Sequence, residues 1–364
     1  EHMMFKGTQK RTAFAISDEM DRIGAQTNAF TGKDITCYYA KSTTENAAAA
    51  FEILADLFLN SAFPEEEMAR EKNVIIEEIS MNEDTPDDLC LDLLSEAYYG
   101  REGYGRNILG TRENVLGFTR ADVDRYMKAR YTSDNIVISM AGNISVQLAE
   151  ELAEKYFGGL PATHADKRVI GVSARHRSLV KHKDIEQVHI ALAWPSVTRD
   201  DRLYDAVRIM NSVLGGSMSS RLFQEVREKL GLAYTVYSYN SAYADTGTLV
   251  VYAGVNAKNY LRSVDAVKKC IDDVKGGKIG REEFERGREQ LKASSIFAQE
   301  STSSQMLLYG KEMLYSGKPY SFEERIAAIN AVTADDLAEA IEGSFNNDGM
   351  AASLVGKLDK PLVI

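Results

Sequence analysis

The six-residue stretch Phe118–Val123 (FTRADV) indicates the fold because a close copy, Val332–Leu337 (VTADDL), follows 214 positions later. Both stretches read as the start of a helix that is capped by a threonine. A short apolar run then ends at Gly142 in the first case and at Gly356 in the second, again 214 positions apart. The pattern predicts one unit that occurs twice: a capped helix, a loop and a strand that ends at glycine.

Two further pairs of blocks keep this order along the chain. They are Ile23–Ala25 (IGA) with Leu230–Leu232 (LGL), 207 positions apart, and Glu66–Met68 (EEM) with Glu282–Phe284 (EEF), 216 positions apart. Small drifts of the offset are expected from loop insertions. The repeat predicts an N-terminal domain at residues 1–160, a linker at 161–178 and a homologous C-terminal domain at 179–364.

Each copy is expected to combine helices with a sheet. Enrichment in Thr, Tyr and Ile predicts a strand within residues 30–41, and residues 247–255 are its counterpart in the second copy. Residues 45–59 carry apolar side chains at helical spacing. Because strands and helices mix without regular βαβ alternation, the predicted class is α+β. We expect two homologous domains, each an antiparallel sheet with helices packed on one face.

Composition excludes several classes of partner. The 364 residues carry a net charge of −11, which disfavours a nucleic-acid partner. No apolar run is long enough to cross a bilayer, so no membrane partner is expected. The cysteines, Cys37, Cys90 and Cys270, are scattered, which favours a reducing compartment and predicts a cytoplasmic, bacterial-type location.

Glu1 and His2 precede an apolar stretch. An adjacent Glu–His pair is the second half of the inverted zinc motif H-x-x-E-H, in which the glutamate transfers protons and the histidine binds the metal. We therefore expect the motif's first histidine three positions before Glu1, so that the chain begins inside the motif.

A glutamate-rich helix is the second candidate component. Proline followed by three glutamates at residues 64–67 predicts a helix start, and the helix is expected to run to about residue 82. Glu71 and Glu78 are two turns apart, so they share one face at an axial separation of roughly 10 Å. Since zinc–oxygen bonds are only about 2 Å long, one carboxylate should ligate a metal while the other acts further out, for instance by orienting a histidine. Without other evidence, such a helix is more often a solvated face.

Together these residues resemble the pitrilysin/insulinase-type zinc peptidases, the inverzincins, and most of all the mitochondrial-processing-peptidase branch. Glu78 lies 76 positions after His2, which is the spacing of that family's glutamate ligand, and Glu71 occupies the family's second glutamate position. The resemblance implies Zn²⁺ as the cofactor, His2 and Glu78 as ligands and Glu1 as the catalytic acid and base. It implies that Glu71 does not bind the metal itself but supports a residue that does.

The second copy lacks these groups. At an offset of 216 positions, Gly287 and Ser294 replace the two glutamates, and the segment Met210–Ser212, which matches the Glu1–His2 pair, contains no histidine. The resemblance instead assigns this half Arg227 and Tyr234, seven residues apart, as donors to the scissile carbonyl group. Without the resemblance, an Arg–Tyr pair is more often surface packing.

A peptide-binding edge is expected in the first copy. In the family, the strand that here contains Asn28, Ala29 and Phe30 receives substrate as an added strand through main-chain hydrogen bonds. Asn28 is the best side-chain candidate, although it could also serve as a turn residue that caps the strand.

The resemblance predicts a zinc-dependent endopeptidase that cleaves peptides or unfolded protein segments inside a closed chamber. One chain carries both the metal half and the Arg227–Tyr234 half, so we expect a homodimer. The alternative is a non-catalytic scaffold or peptide-binding subunit of a processing-peptidase-like complex. Such relatives usually lose the residues equivalent to Glu1, His2 or Glu78, and this chain retains all three.

Overall fold

The computed structural model describes residues 1–161, 163–164, 177–345 and 350–358. Most of the predicted linker, 161–178, lies outside the described residues. Within the described ranges, no helix combines the length and the apolar composition that crossing a membrane requires.

A 3-10 helix, His2–Phe5, opens the chain, and a π-helix, Phe223–Lys229, lies near its middle. The α-helices are α1 (Ala13–Arg22), α2 (Ala47–Asn60), α3 (Glu65–Asp84), α4 (Pro86–Tyr99), α5 (Arg112–Gly117), α6 (Arg120–Arg130), α7 (Val146–Phe157), α8 (Tyr204–Leu214), α9 (Tyr260–Lys275), α10 (Arg281–Gln299), α11 (Thr302–Ser316), α12 (Phe322–Ala331) and α13 (Ala334–Ser344). The strands are β1 (Gln26–Thr31), β2 (Thr36–Lys41), β3 (Ser178–His182), β4 (Gln187–Ser196), β5 (Ala233–Ala242), β6 (Gly247–Asn256) and β7 (Ala351–Gly356).

The contacts divide the chain into two compact units. Unit 1 contains Glu1–Ser80, Ile108–Val169 and Ala298–Tyr320, and unit 2 contains Met81–Asn107, Ile170–Phe297 and Ser321–Ile364. Helix α4 lies in the first copy of the repeat but belongs to unit 2, whereas α11 lies in the second copy but belongs to unit 1. The two helices are equivalent in the repeat, since their first residues are 216 positions apart.

Each unit therefore takes one helix from the opposite copy. The predicted boundaries at residues 160 and 179 separate the two copies of the sequence repeat. The two compact units have different boundaries, because each contains a helix of the other copy. As a division of the sequence repeat, those boundaries stay a prediction.

Unit 1 is organised around the β1–β2 hairpin and the helices α1 and α2. The strands pair antiparallel, with Ala29 opposite Tyr38. The core side chains beneath them are Ile16, Met20, Ala25, Ala50, Ile53 and Leu57. Helix α11 packs on the same hairpin, where Tyr315 donates a 2.9 Å hydrogen bond to Asp34.

Unit 2 contains a five-stranded sheet in the order β3-β7-β4-β6-β5. The β3–β7 pair is parallel and the other pairs are antiparallel. Helices of its own copy, α8, α9 and α13, share the larger core with one face of the sheet. The exchanged helix α4 covers alanine and tyrosine side chains of the other face. The copy's own helices thus pack on one face, but α4 covers the second face and the β3–β7 pair is parallel, so the expected antiparallel sheet with helices on one face holds only in part.

The repeat extends to local conformation. Thr119 and Thr333 each close a capping box, with Asp122 and Asp336 respectively, at the starts of α6 and α13. Gly142 and Gly356 both have positive φ, 135° and 145°. Gly24 and Gly231, from the IGA and LGL blocks, also match, with φ of 63° and 60°. L-residues rarely adopt such angles, so glycine is needed at these turns in both copies.

Two local expectations need correction. Residues 30–41 are not one strand but parts of two, β1 and β2, because the chain reverses at Gly32–Ile35, where the Gly32 amide donates to the Ile35 carbonyl at 2.7 Å. Residues 136–140, which precede Gly142, do not form the strand that the repeat predicts. There Ser139 Oγ instead donates to the Met306 carbonyl of α11 at 2.7 Å.

The segment after the 3-10 helix is tied to α2 by a buried ion cluster around Asp56, which is 3% exposed. Its carboxylate accepts hydrogen bonds from Thr8 Oγ1 (2.7 Å), Arg11 Nη1 (2.8 Å) and Asn60 Nδ2 (2.9 Å). Arg11 also pairs with Glu19 and Glu52. Burial alone would raise the pKa of Asp56, but the hydrogen bonds from Thr8, Arg11 and Asn60 bring it below its ordinary 3.8.

We expect Asp56→Ala to lower the free energy of unfolding by about 3–5 kcal/mol at neutral pH, because it removes one partner of a buried ion pair. The folded-state pKa of Asp56 lies below its unfolded value. Its stabilisation is therefore complete above the unfolded pKa and is lost as the pH falls through the folded pKa. The difference between wild type and variant should shrink in acid. Urea unfolding followed by circular dichroism at several pH values measures both effects.

Asp18→Ala is the matched control, since it breaks an exposed pair with Arg22 at 2.7 Å. It should cost less than about 1 kcal/mol. Equal losses in the two variants, or a difference for Asp56→Ala that does not change with pH, would contradict the assignment.

Candidate metal centre

Two elements of unit 1 bring the predicted metal residues together. His2 lies on the 3-10 helix, and Glu71 and Glu78 lie on α3. The 3-10 helix is anchored by Met4, which is 2% exposed and whose carbonyl accepts a 3.2 Å hydrogen bond from Ser61 Oγ. Helix α3 follows Pro64 and carries three glutamates in its first turn, where carboxylates offset the positive end of the helix dipole.

The His2 imidazole lies between the two carboxylates of α3. Its Nδ1 is 2.8 Å from Glu71 Oε1, and its Nε2 is 3.3 Å from Glu78 Oε2. An ionised carboxylate only accepts hydrogen bonds, so the short contact places the imidazole proton on Nδ1. The lone pair of a neutral imidazole is then on Nε2, which faces Glu78. This is the arrangement that a metal-ligating histidine needs.

Glu78 Oε2 is shielded from solvent and has no hydrogen-bond partner among the described residues. A buried polar atom without a partner is uncommon and calls for an explanation. Tetrahedral zinc with ordinary bond lengths would separate a nitrogen and an oxygen ligand by about 3.4 Å. The observed 3.3 Å between His2 Nε2 and Glu78 Oε2 fits two ligands of one such ion.

Within the described residues, no group of three or more His, Cys, Asp or Glu side chains is arranged to hold a metal ion. The centre thus shows two converging donor atoms, and Glu71 occupies the other side of the imidazole rather than the ligand position. The residues present fit a zinc site of which these two donors form part.

Glu71 is buried, with 5% of its surface exposed, and both of its oxygens have partners. Oε1 contacts His2, and Oε2 lies 2.5 Å from Lys6 Nζ. Burial by itself would raise the pKa of Glu71. The hydrogen bonds and the charges of Lys6 and His2 together outweigh burial, so the pKa of Glu71 is lowered and the group remains an anion.

Glu1 lies next to the predicted peptide-binding strand. Its Oε2 accepts a hydrogen bond from Thr31 Oγ1, and Thr31 is the last residue of β1. Glu1 is exposed. Asn28, Ala29 and Phe30 are on the same strand.

The side chains of this strand also have partners of their own. Asn28 is exposed, and its Oδ1 accepts a 2.8 Å hydrogen bond from the Ala29 amide. Lys311 of α11 lies 5.7 Å from the centroid of the Phe30 ring. Thus Asn28 bonds to the neighbouring backbone from within β1 and is not a turn residue. Phe30 lies beside a cation of the exchanged helix.

Arg227 and Tyr234 lie in unit 2 and contact each other. The Arg227 guanidinium carbon is 5.3 Å from the centroid of the Tyr234 ring and 4.7 Å from that of Phe223. Tyr234 is 76% exposed. The π-helix carries Arg227, and Tyr234 is the second residue of β5. The pair presents a cation and a phenol hydroxyl, which are both hydrogen-bond donors.

Sequence reasoning missed two residues that contact the predicted site, Lys6 and Thr31. Lys6 is four residues after His2, close enough to reach the same carboxylate. Thr31 directly follows Asn28–Phe30 on the strand beside Glu1. Their positions near His2 and Asn28 are a weak signal, because a single sequence does not distinguish polar residues that contact a site from polar residues on the surface.

The chain matches two family models. Residues 1–112 match the model described as Insulinase (Peptidase family M16), and residues 117–291 match the one described as Peptidase M16 inactive domain.

Curated relatives match over most of the chain. The protein named uncharacterized zinc protease YmxG of Bacillus subtilis is 42% identical over 349 residues, which cover 96% of this chain and 85% of that protein. An uncharacterized zinc protease of Streptomyces coelicolor is 36% identical over 348 residues, which cover 93% of this chain and 75% of that protein.

Two solved structures share the fold. The crystal structure of a peptidase M16 inactive domain from Pseudomonas fluorescens matches with a TM-score of 0.91 at 23% identity, over 99% of this chain and 88% of that one. A protease from Helicobacter pylori matches with a TM-score of 0.88 at 22% identity, over 98% and 87%. The predicted α+β class is confirmed.

Both family models and the extent of identity to the curated relatives agree with the resemblance carried by Glu1, His2 and Glu78, and the chain belongs to the insulinase family of peptidases, family M16.

Proposed function

We propose that this protein is a zinc-dependent endopeptidase that cleaves peptides or unfolded protein segments. The observation that carries the proposal is the His2 imidazole, which contacts Glu71 through Nδ1 and faces Glu78 Oε2 through Nε2. Relatives that are named zinc proteases support the same reaction class.

His2 Nε2 and Glu78 Oε2 are the proposed zinc-binding atoms, with the histidine expected three positions before Glu1 as the third protein ligand. Two histidines, one glutamate and an open position form a common catalytic zinc set. A bound zinc ion would acidify a water molecule and polarise the scissile carbonyl group.

Glu1 is the proposed general base and acid. Its carboxylate accepts a proton from the attacking water and then donates it to the leaving amine, because the same group is correctly protonated for the second step after the first. Thr31 holds one carboxylate oxygen of Glu1 from the end of β1. The contact keeps the proton-transferring group beside the strand that carries Asn28, Ala29 and Phe30.

Substrate is proposed to bind as an extended strand along β1. Main-chain hydrogen bonds would provide most of the affinity, which predicts a preference for unfolded segments and a tolerance of different sequences. Before substrate binds, the Ala29 amide donates its hydrogen bond to Asn28 Oδ1, so this backbone N–H already has a partner.

Arg227 and Tyr234 are proposed to donate hydrogen bonds to the carbonyl oxygen as negative charge develops on it. Donors fixed before the reaction stabilise that charge without reorganising. The stacking of Arg227 on two aromatic rings supports such a fixed orientation. A homodimer that encloses a chamber is also proposed, because one chain carries both sets of residues.

The alternative is a non-catalytic peptide-binding subunit. It is supported by the match of residues 117–291 to the model described as Peptidase M16 inactive domain. The residue three positions before Glu1 separates the two proposals: a histidine completes the ligand set, and any residue that cannot bind a metal favours the subunit.

Glu1→Gln should reduce kcat by about 10²–10⁴-fold, the usual contribution of a general acid–base group. Zinc content should not change, because Glu1 is not among the proposed ligands. Turnover of a fluorogenic peptide and metal analysis of the same sample test both statements. Activity close to that of the wild type would show that another group transfers the protons.

Glu78→Gln should weaken zinc binding by more than about 100-fold, the upper range for losing an outer-sphere partner of a ligand. Glu77→Gln is the matched control, because it removes the same charge from the neighbouring, exposed position of α3. Competition with a chromogenic chelator measures both affinities. If the two variants lose the same affinity, Glu78 acts only through its charge and is not a ligand.

Tyr234→Phe should lower kcat by about 10²–10³-fold with a much smaller change in KM, as expected when one donor to the developing oxyanion is removed. The substitution keeps the ring on which Arg227 stacks, so the hydroxyl group alone is tested. A change confined to KM would place Tyr234 in substrate binding and not in the chemical step.

A further inference from the structure

We propose that Lys6 is a positioning residue of the metal centre, which acts through Glu71 to keep the His2 proton on Nδ1 and the lone pair on Nε2. This inference rests on the proposed function in one respect, the identity of His2 as a zinc ligand. The contacts that carry it are those of the Glu71 carboxylate.

Each oxygen of Glu71 has one donor. His2 Nδ1 lies 2.8 Å from Oε1, and Lys6 Nζ lies 2.5 Å from Oε2. With one donor at each end, the carboxylate cannot rotate without breaking a charge-assisted hydrogen bond. Oε1 is therefore kept in line with the imidazole, and Nδ1 keeps its proton.

Burial makes the second donor necessary. The Glu71 side chain is 7% exposed, so water offers little compensation for its charge. A neutral imidazole donates a hydrogen bond but no positive charge. An unpaired buried carboxylate is strongly unfavourable, and Lys6 supplies the opposite charge at bonding distance.

Local structure places Lys6 for this role. Its backbone amide donates to the Met3 carbonyl at 3.2 Å, which closes the 3-10 helix that carries His2. His2 and Lys6 thus leave the same turn and meet the same carboxylate. The Lys6 side chain is 28% exposed, so its stem is packed while the ammonium group reaches Glu71.

The tautomer has a direct consequence for a metal. A proton on Nε2 would occupy the position at which the ion binds, and it would have to leave first. Free histidine side chains in water favour the Nε2–H form, so the Nδ1–H form here has to be imposed by the Glu71 contact. Lys6 favours the Nδ1–H form indirectly, because it fixes the orientation of the Glu71 carboxylate that accepts the hydrogen bond.

Lys6→Met in the protein that carries the whole H-x-x-E-H motif tests the proposal. The first readout is the nitrogen-15 NMR spectrum of the metal-free protein, in which the two tautomers have distinct ring shifts and a His2→Gln variant assigns the His2 signals. We expect the Nδ1–H form in the wild type and a mixture in Lys6→Met. Lys6→Arg, which keeps the charge and the donor, should restore the wild-type pattern.

The change in zinc affinity is the second readout, and its direction distinguishes the proposal from a simple charge effect. Removing a nearby positive charge should by Coulomb's law alone strengthen the binding of a cation. We expect instead that Lys6→Met weakens zinc binding by about 10–100-fold, as when an outer partner of a ligand is lost. Lys10→Met is the matched control, because Lys10 lies in the same segment with its side chain 66% exposed, 4.0 Å from Glu52.

Unchanged His2 tautomers in Lys6→Met, or zinc affinity that rises as in Lys10→Met, would overturn the proposal. If Lys6→Met does not fold, Lys6→Gln takes its place, and because its amide can still donate a hydrogen bond but carries no charge, we expect a smaller change in the same direction. A wild-type protein that binds no zinc would refute the proposed function, while the tautomer measurement would still decide the role of Lys6.

Discussion

The candidate metal centre depends on one imidazole that lies between two carboxylates, with Glu71 bonded to its Nδ1 and Glu78 facing its Nε2. Glu71 and Glu78 can both reach His2 because they are two turns apart on one rigid helix, which sets the distance between the carboxylates. The 3-10 helix supplies the other half of the geometry. Its position is set by buried Met4 and by the Asp56 cluster, which ties the following segment to α2. A shift of either element would separate the imidazole from one of its partners.

The second copy shows what the same architecture does without those groups. Gly287, the counterpart of Glu71, lies on α10 where a Cβ atom would be 3.1 Å from the Ile209 carbonyl oxygen and 3.3 Å from a Val213 methyl group. Helices α8 and α10 therefore pack too closely for a carboxylate. The first copy places a buried ion pair where the second places helix contact. Buried charge requires partners, whereas close packing does not, so the two copies meet different physical demands at this position.

The exchange of α4 and α11 changes how the repeat should be interpreted. Cys90 of α4 is fully buried against the sheet of unit 2, where its Sγ lies 3.3 Å from Ser353 Oγ. Lys311 of α11 contacts Phe30 on the strand beside Glu1. A segment of the second copy thus packs on strand β1 of the first. The helix that covers each hairpin or sheet face cannot be deduced from periodicity, because helical spacing marks an apolar face but not the element against which that face packs.

The sequence by itself determined the helix starts, the glycine turns and the residue types of the site. The repeat predicted the capped starts of α6 and α13 and the glycine turns, because such features depend on a few adjacent residues. Helical periodicity placed Glu71 and Glu78 on one face and required that they play different roles. Only the tertiary structure decided which nitrogen of His2 each carboxylate meets, that Lys6 and Thr31 join the site, and that residues 136–140 form no strand. Those outcomes depend on contacts between residues far apart in the chain, and the pattern of a single sequence does not record which of many polar side chains will meet.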